Sequence, residues 1–260
     1  MGAPRFPLFD LSGQVALVTG SSRGIGLAIA RHMALAGARV VISSRTQDAC
    51  EEAARSIRAE GGEALPIACN IGHKDQLRAL VDRTLDAWGK VDTLVCNAAV
   101  NPYYGPLSGI PDEAYDKTMN SNVRSTVWLC NMVLPQMAER AGGAAILVSS
   151  IAGLRGSAVV GVYGLSKAAD MQLARNLAVE WGPRNVRVNT IAPGMIRTRL
   201  SRVRWAEPDD YARTLAAYPL GRIGEPDDVA GVAVMLAGPA GAFITGQTIV
   251  VDGGVTVAGG

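Results

Sequence analysis

Charge is scarce in this 260-residue sequence. Asp, Glu, Lys and Arg make up 18% of it, against roughly 25% in an average domain. The signs nearly cancel, leaving a formal net charge of +2. No excess points to nucleic acid or to an anionic membrane as a partner. Histidine is scarcer still, with His32 and His73 alone. A Ser-His-Asp hydrolase or a histidine-rich metal site is hard to assemble from two, so no metal is expected. The four cysteines, Cys50, Cys69, Cys96 and Cys130, include no pair at zinc or redox spacing. Buried, reduced thiols in a cytoplasmic protein are the expectation. Residues 1–10 hold two prolines and no apolar run of signal-peptide length. Val229 to Val251 lacks charge and is long enough to span a bilayer. Pro239, four glycines, Gln247 and two threonines interrupt it. It is therefore expected as a buried helix, a turn and a buried strand, not a membrane span.

What the chain does have is regular alternation. Apolar runs fall at Gln14–Thr19, Val40–Ser43, Ala64–Ala68, Thr93–Cys96, Ala144–Ser149, Val186–Ile191 and Thr248–Val251. Helical patterns lie between them, over Gly24–Ala36, Gln47–Glu60, Lys74–Trp88, Asp112–Arg140 and Tyr163–Trp181, with two short helices near the end. In the fourth of these, Pro135 is the place for a break. Strand alternating with helix means βαβ units and a parallel sheet. The expected fold class is α/β: one Rossmann-type, doubly wound parallel sheet of about seven strands with helices on both faces. Residues 1–260 read as a single domain, with 1–10 as an arm and about 197–221 as a mobile, arginine-rich excursion over the substrate.

The first strand runs into Gly20-Ser21-Ser22-Arg23-Gly24-Ile25-Gly26. Glycines in a strand-to-helix turn let the backbone approach a pyrophosphate, and the helix N-terminus favours its charge. The spacing differs from G-x-G-x-x-G, but the context is that of a dinucleotide site. The second strand ends Ser43-Ser44-Arg45. It lacks the acid that usually holds the ribose 2′-hydroxyl of NAD. Arg45 and Arg23 offer cations to a 2′-phosphate, so NADP(H) is expected over NAD(H). Both arginines also read as ordinary solvated charges.

Tyr163 and Lys167 sit four apart on a helical pattern, and so share a face. An ammonium beside a phenol favours the phenolate, and such a phenol can exchange a proton with an alcohol or carbonyl oxygen. Ser150, thirteen residues before Tyr163, can offer its hydroxyl to the same oxygen. Taken singly, each is as readily a strand-end hydroxyl, a helix-start aromatic or a surface cation.

Together these motifs resemble the short-chain dehydrogenase/reductase family, in its branch of about this length, over nearly the whole chain. Thr19 to Gly26 looks like the family's glycine turn. Asn97-Ala98-Ala99-Val100 looks like its motif after the fourth strand, with Val100 in place of the usual glycine. The resemblance implies that Ser150, Tyr163 and Lys167 are catalytic. It implies too that Asn122 anchors a water on the lysine, with Asn120 a nearby competitor. It assigns cofactor binding to Gly20, Ser22, Arg23, Gly24, Ile25, Gly26, Arg45, Asn97, Ala98, Tyr163 and Lys167, and to Asn70 and Ile71 beside the adenine. Pro193, Gly194, Ile196 and Thr198 would hold the nicotinamide and phosphates. Asn70 stands where the family usually has Asp, and its amide oxygen can still accept from an adenine amine.

Some stretches are similar to NADP-dependent carbonyl and retinal reductases. Ser150, Tyr103, Tyr104, Leu154, Met195 and Trp205 are the candidate substrate contacts; for any one of them ordinary packing is an equal reading. The implied activity interconverts a carbonyl and a secondary alcohol, in a homotetramer. Arg197, Arg199, Arg202 and Arg204 form a basic cluster. It either pairs with Glu207, Asp209 and Asp210 or meets an acyl-carrier protein or a CoA phosphate. The second possibility keeps a 3-oxoacyl reductase as the alternative, and a non-catalytic NADP-sensing protein is a more remote one.

Overall fold

The computed structural model describes residues 6–140, 142–199, 201 and 208–258. Every apolar run noted above is a strand: β1 (Val15–Thr19), β2 (Arg39–Ser44), β3 (Glu63–Ala68), β4 (Thr93–Cys96), β5 (Gly143–Val148), β6 (Val186–Pro193) and β7 (Thr248–Val251). They form one sheet in the order β3-β2-β1-β4-β5-β6-β7, with every neighbouring pair parallel. The helices are α1 (Gly24–Leu35), α2 (Gln47–Ala59), α3 (Lys74–Trp88), α4 (Asp112–Met119), α5 (Ser125–Glu139), α6 (Gly161–Trp181), α7 (Pro208–Ala216) and α8 (Pro226–Ala237).

Successive strand residues face opposite ways, and the core divides accordingly. Ala16, Val18, Val40 and Ile42 pack with Ile29 and Met33 of α1, Ile57 of α2 and Ala233 of α8. Leu17, Val41, Leu94 and Leu147 pack on the other face with Leu80 of α3, Val133 of α5 and Leu177 of α6. Both faces are covered, which is why the strands are largely apolar. The strand order reverses direction between β1 and β4. In such sheets the crevice for ligands lies at that switch, outside the carboxyl ends of the strands.

Three expectations change. Pro135 lies inside α5 without ending it. The interruption falls earlier, where Asn120–Arg124 forms a π turn between α4 and α5, and the Ser125 N–H reaches back five residues to the Asn120 carbonyl. The buried face of α5, with Leu129, Val133, Leu134 and Met137, holds the helix through the proline despite its usual cost of ~3 kcal/mol. The last strand is an edge strand, not a buried one: Val250 is 39% exposed, and among the described residues β7 pairs with β6 on one side alone. The poorly periodic excursion contains a helix, α7. Val229 to Val251 falls into most of α8, a short 3-10 turn at Pro239–Gly241 and β7. No helix among the described residues is long and apolar enough to cross a membrane.

Candidate active site

The glycine loop is stitched to its neighbours by short polar side chains. The Ser21 hydroxyl donates to the Val18 carbonyl at 2.6 Å and accepts the Ser43 N–H at 2.8 Å, while Ser21 N–H donates to Ser43 O at 3.0 Å. The end of β2 is thereby locked beside the loop. Arg23 and Arg45 each follow two residues after this junction and are exposed. Among the described residues neither pairs with an acid. On the other side, the Asn97 amide donates to the Thr19 and Gly20 carbonyls at 3.0 and 3.2 Å. The Thr19 hydroxyl accepts the N–H groups of Asn97 and Ala98 at 3.1 and 3.2 Å. Space explains Gly26: a Cβ there would collide with the Gly20 carbonyl and the Asn97 amide.

The other expected cofactor residues gather at this edge. Gly24 lies at a φ of +57°, and the Thr198 side chain sits over it, bringing the segment after β6 to the mouth of the loop. Pro193 ends β6, Gly194 is half-buried and Ile196 is buried. Ser22 and Ile25 are half-buried in the turn, as are Asn70 and Ile71 after β3. Asn70 Oδ1 accepts the Gly72 N–H at 3.1 Å. Thr19, Cys96, Ala98, Ile71 and Thr126 line a small cavity beneath this edge. A wider hollow opens at the amino-terminal edge, lined by Gln14, Lys90, Asp92 and Arg187 among others, away from the trio.

Ser150 follows β5, half-buried, and caps the 3-10 turn Ile151–Gly153 by accepting the Ala152 N–H at 3.1 Å. That turn lies directly on α6. A Cβ on Gly164 would meet the Ala152 carbonyl at 2.7 Å, so the glycine after Tyr163 permits the contact. The Ser149 hydroxyl donates to the Lys167 carbonyl at 2.7 Å. Ser150 and the Tyr163 turn are thus held together at the carboxyl edge. Lys167 is buried, and its Nζ lies 5.8 Å from the centre of the Tyr163 ring. Nζ donates to the Val148 carbonyl at 2.8 Å and to Asp170 Oδ2 at 3.1 Å. Burial works against the ammonium, but the attraction of Asp170, and then of Tyr163, outweighs it and holds the Lys167 pKa above its usual value. Burial likewise pushes Asp170 up, and Lys167 draws it back only in part.

Asn122, in the π turn, is buried, whereas Asn120 is half-buried. The Asn122 side chain accepts the Val100 N–H at 2.8 Å and donates to the Val100 carbonyl at 2.9 Å and to Ser166 Oγ at 3.0 Å. Ser166 in turn donates to the Tyr163 carbonyl at 2.8 Å. The loop after β4 and the Tyr163 turn are therefore latched by one amide, at the position where Val100 departs from the family's glycine.

The substrate candidates divide. Tyr104 and Leu154 are exposed. Tyr103 is folded into its own loop, its hydroxyl donating to the Pro106 carbonyl at 3.0 Å. That loop is tied to the Ser150–Tyr163 segment by Gly105 N–H to Val159 O at 2.8 Å. Met195 is half-buried, its N–H donating to the Tyr218 hydroxyl at 2.8 Å. Trp205, Arg202, Arg204 and Glu207 lie outside the described residues, as do the side chains of Asp209 and Asp210. Arg197 pairs with Glu225 at 2.8 Å, a more distant acid than those expected. Sequence reasoning passed over Thr19, Ser21 and Ser43, which build the loop, and Asp170. An i,i+3 lysine–aspartate pair on one helix face was the signal for Asp170.

A family model described as enoyl-(acyl carrier protein) reductase matches residues 20–256. Dehydrogenase/reductase SDR family member 4 of Bos taurus is 42% identical over 244 residues, covering 94% of this chain and 88% of that protein. The chain belongs to the short-chain dehydrogenase/reductase family. It is an oxidoreductase of that family acting on CH–OH groups, and the family uses nicotinamide cofactors. Among solved structures, a gluconate 5-dehydrogenase from Burkholderia cenocepacia, in complex with NADP and tartrate, superposes with a TM-score of 0.93 at 32% identity. It covers 97% of this chain and 99% of that one. A 7α-hydroxysteroid dehydrogenase complexed with NADH and 7-oxo glycochenodeoxycholic acid gives 0.91 at 35% identity, over 95% and 96%.

Proposed function

We propose that this short-chain dehydrogenase/reductase interconverts a carbonyl compound and a secondary alcohol with NADP(H), using Tyr163 as its acid and base. The observation that carries the reading is the Lys167 ammonium, buried 5.8 Å from the Tyr163 ring centre at the carboxyl edge of β5. The residues fit the cofactor: the loop leaves no room for a side chain at Gly26, and backbone N–H groups open α1 there. Gly20, Ser22, Gly24, Ile25, Asn97, Ala98, Pro193, Gly194, Ile196 and Thr198 would hold it, with Asn70 and Ile71 toward the adenine. The cofactor, when bound, supplies or takes up the hydride.

In reduction, the Tyr163 hydroxyl gives its proton to the carbonyl oxygen as the carbon receives the hydride, leaving an alcohol and a phenolate. Lys167 stabilises that phenolate. Ser150 donates a hydrogen bond to the oxygen as charge develops. Oxidation runs the same steps backward. A relay water at Asn122 would use the second lone pair of its backbone carbonyl, which already accepts the Thr126 hydroxyl at 2.8 Å, since its side chain is committed to Val100 and Ser166. Exposed Arg23 and Arg45 beside the Ser21–Ser43 junction support NADP(H) over NAD(H). Tyr104, Leu154 and Met195 are the substrate contacts this reading keeps. The four free, buried cysteines support a reducing, cytoplasmic setting. Exposed Phe243 and Val179 support burial in a homotetramer.

The family model's description names an acyl-carrier-protein substrate, though an enoyl and not a 3-oxo one, and that carrier keeps one second reading, a reductase of 3-oxoacyl thioesters on an acyl-carrier protein or CoA. The Arg197–Glu225 pair weighs against a free basic docking patch. Absorbance assays with NADPH and NADH, against a ketone panel and a 3-oxoacyl thioester, separate the readings. Faster turnover of ketones with NADPH is expected. Turnover of the thioester alone establishes the second reading, and turnover of nothing despite NADPH binding overturns both.

A further inference from the structure

Asp170 is the buried acid that no role above uses. It lies three residues beyond Lys167 on α6, and each side chain of the pair is 4% exposed. One carboxylate oxygen, Oδ2, accepts from Lys167 Nζ at 3.1 Å. The other, Oδ1, is buried with no hydrogen-bond partner among the described residues. Such an arrangement opposes stability. Two ions taken out of water regain less than two well-packed apolar side chains would, and an orphaned carboxylate oxygen adds to the deficit. Met171, Ala174 and Leu177 around it on α6 are buried and apolar. Packing therefore gives no reason for an acid here, and the acid's partner does.

Lys167 Nζ has three donors. The Val148 carbonyl and Asp170 take two of them, fixing the nitrogen at the end of β5. A lysine this buried would otherwise shed its proton readily. The other titratable groups against the pair are Tyr163 on α6 and Cys96 on β4. Cys96 is held as a neutral thiol by its hydrogen bond with Cys130 of α5 and by burial. Asp170 supplies the counter-charge.

We propose that Asp170 is a positioning residue for proton exchange at Tyr163: its carboxylate fixes Lys167 Nζ and keeps it an ammonium while the phenol gives up its proton. The inference rests on the roles given to Tyr163 and Lys167 above. Without the carboxylate, burial acts on Lys167 less opposed, and the ammonium is lost at a lower pH. A neutral amine no longer favours the phenolate, so turnover fails first on the alkaline side.

The test uses Asp170→Asn, which keeps shape and polarity, and Asp170→Leu, which fills the space without charge. The chain has four lysines, Lys74, Lys90, Lys117 and Lys167, so a 13Cε-lysine spectrum isolates Lys167 by comparison with Lys167→Met. In the wild type, Lys167 is expected to stay an ammonium beyond the usual lysine range. In Asp170→Asn it titrates at lower pH, and kcat near about pH 9.5 falls roughly ten- to hundredfold more than near about pH 7, within the range that acid–base groups contribute. An Asp170→Asn enzyme with the wild-type lysine titration and rate profile overturns the proposal. If neither variant folds, the wild-type spectrum decides, and a Lys167 that loses its proton at or below the usual lysine value overturns it. Turnover retained by Tyr163→Phe refutes the site reading itself. Turnover lost there, with Asp170→Asn unchanged, refutes Asp170 alone.

Discussion

Removing the Asn122 side chain should loosen both the fold and the site, by an amount the hydrogen bonds set. In Asn122→Ala, the Val100 N–H and carbonyl lose partners at 2.8 and 2.9 Å. A polar group buried without a partner costs about 1–3 kcal/mol. Val100 is half-buried, so the low end applies to each group. The lost bond to Ser166 adds little, because Ser166 keeps the Tyr163 carbonyl. The expected destabilisation is about 2–3 kcal/mol, read as a shifted urea midpoint at unchanged slope. Turnover should fall roughly ten- to hundredfold, since the latch on the Tyr163 turn is gone and reacting groups tolerate little misplacement. Asn122→Asp keeps an acceptor for the Val100 N–H but turns a buried carboxylate oxygen toward the Val100 carbonyl, and should destabilise at least as much as alanine. A loss below about 1 kcal/mol with normal turnover would falsify the latch, because at least one orphaned group costs that much.

Two further outcomes follow from the cofactor edge and the buried thiols. Arg45→Asp should lower kcat/KM for NADPH by roughly ten- to hundredfold, the worth of one charge-assisted hydrogen bond, and leave NADH nearly unaffected; an unchanged NADPH/NADH ratio removes Arg45 from the 2′-phosphate. Burial, with Cys50 next in effect, pushes the Cys69 thiol up to about 11. The native state therefore holds that proton more tightly than the unfolded chain. Urea stability should fall as pH rises from the ordinary thiol value of 9.0 toward about 11, and Cys69→Ala should flatten that slope. An equal slope in both proteins contradicts the assignment.

Much of this architecture was legible because it is repetitive. Strands covered on both faces are largely apolar, and β1 to β6 announce themselves that way, even with Arg187 and Asn189 in β6. Glycines mark places where something presses close: Asn97 and Gly20 against Gly26, Ala152 against Gly164. The trio was readable through spacing, since four residues on a helix and a strand end are fixed geometry. The π turn was not. Asn120-Ser121-Asn122-Val123-Arg124 continues the helical pattern on either side, and its bulge becomes visible only where Asn122 reaches Val100. Pro135 misled because a local cost was outweighed by packing along α5. Asp170 was hidden among apolar neighbours, and its meaning depends on a burial that spacing does not report. β7 looked buried because an edge strand of a parallel sheet carries the same residues as a central one.

The measurement that bears most directly on the central claim is turnover by Tyr163→Phe with NADPH binding followed in parallel. Phenylalanine keeps the ring beside Lys167 and removes the oxygen that carries the proton. Turnover should fall by roughly 10²–10⁴-fold, the usual contribution of an acid–base group, while NADPH affinity stays within a few-fold of wild type. A Tyr163→Phe enzyme that turns over at close to the wild-type rate would contradict the account.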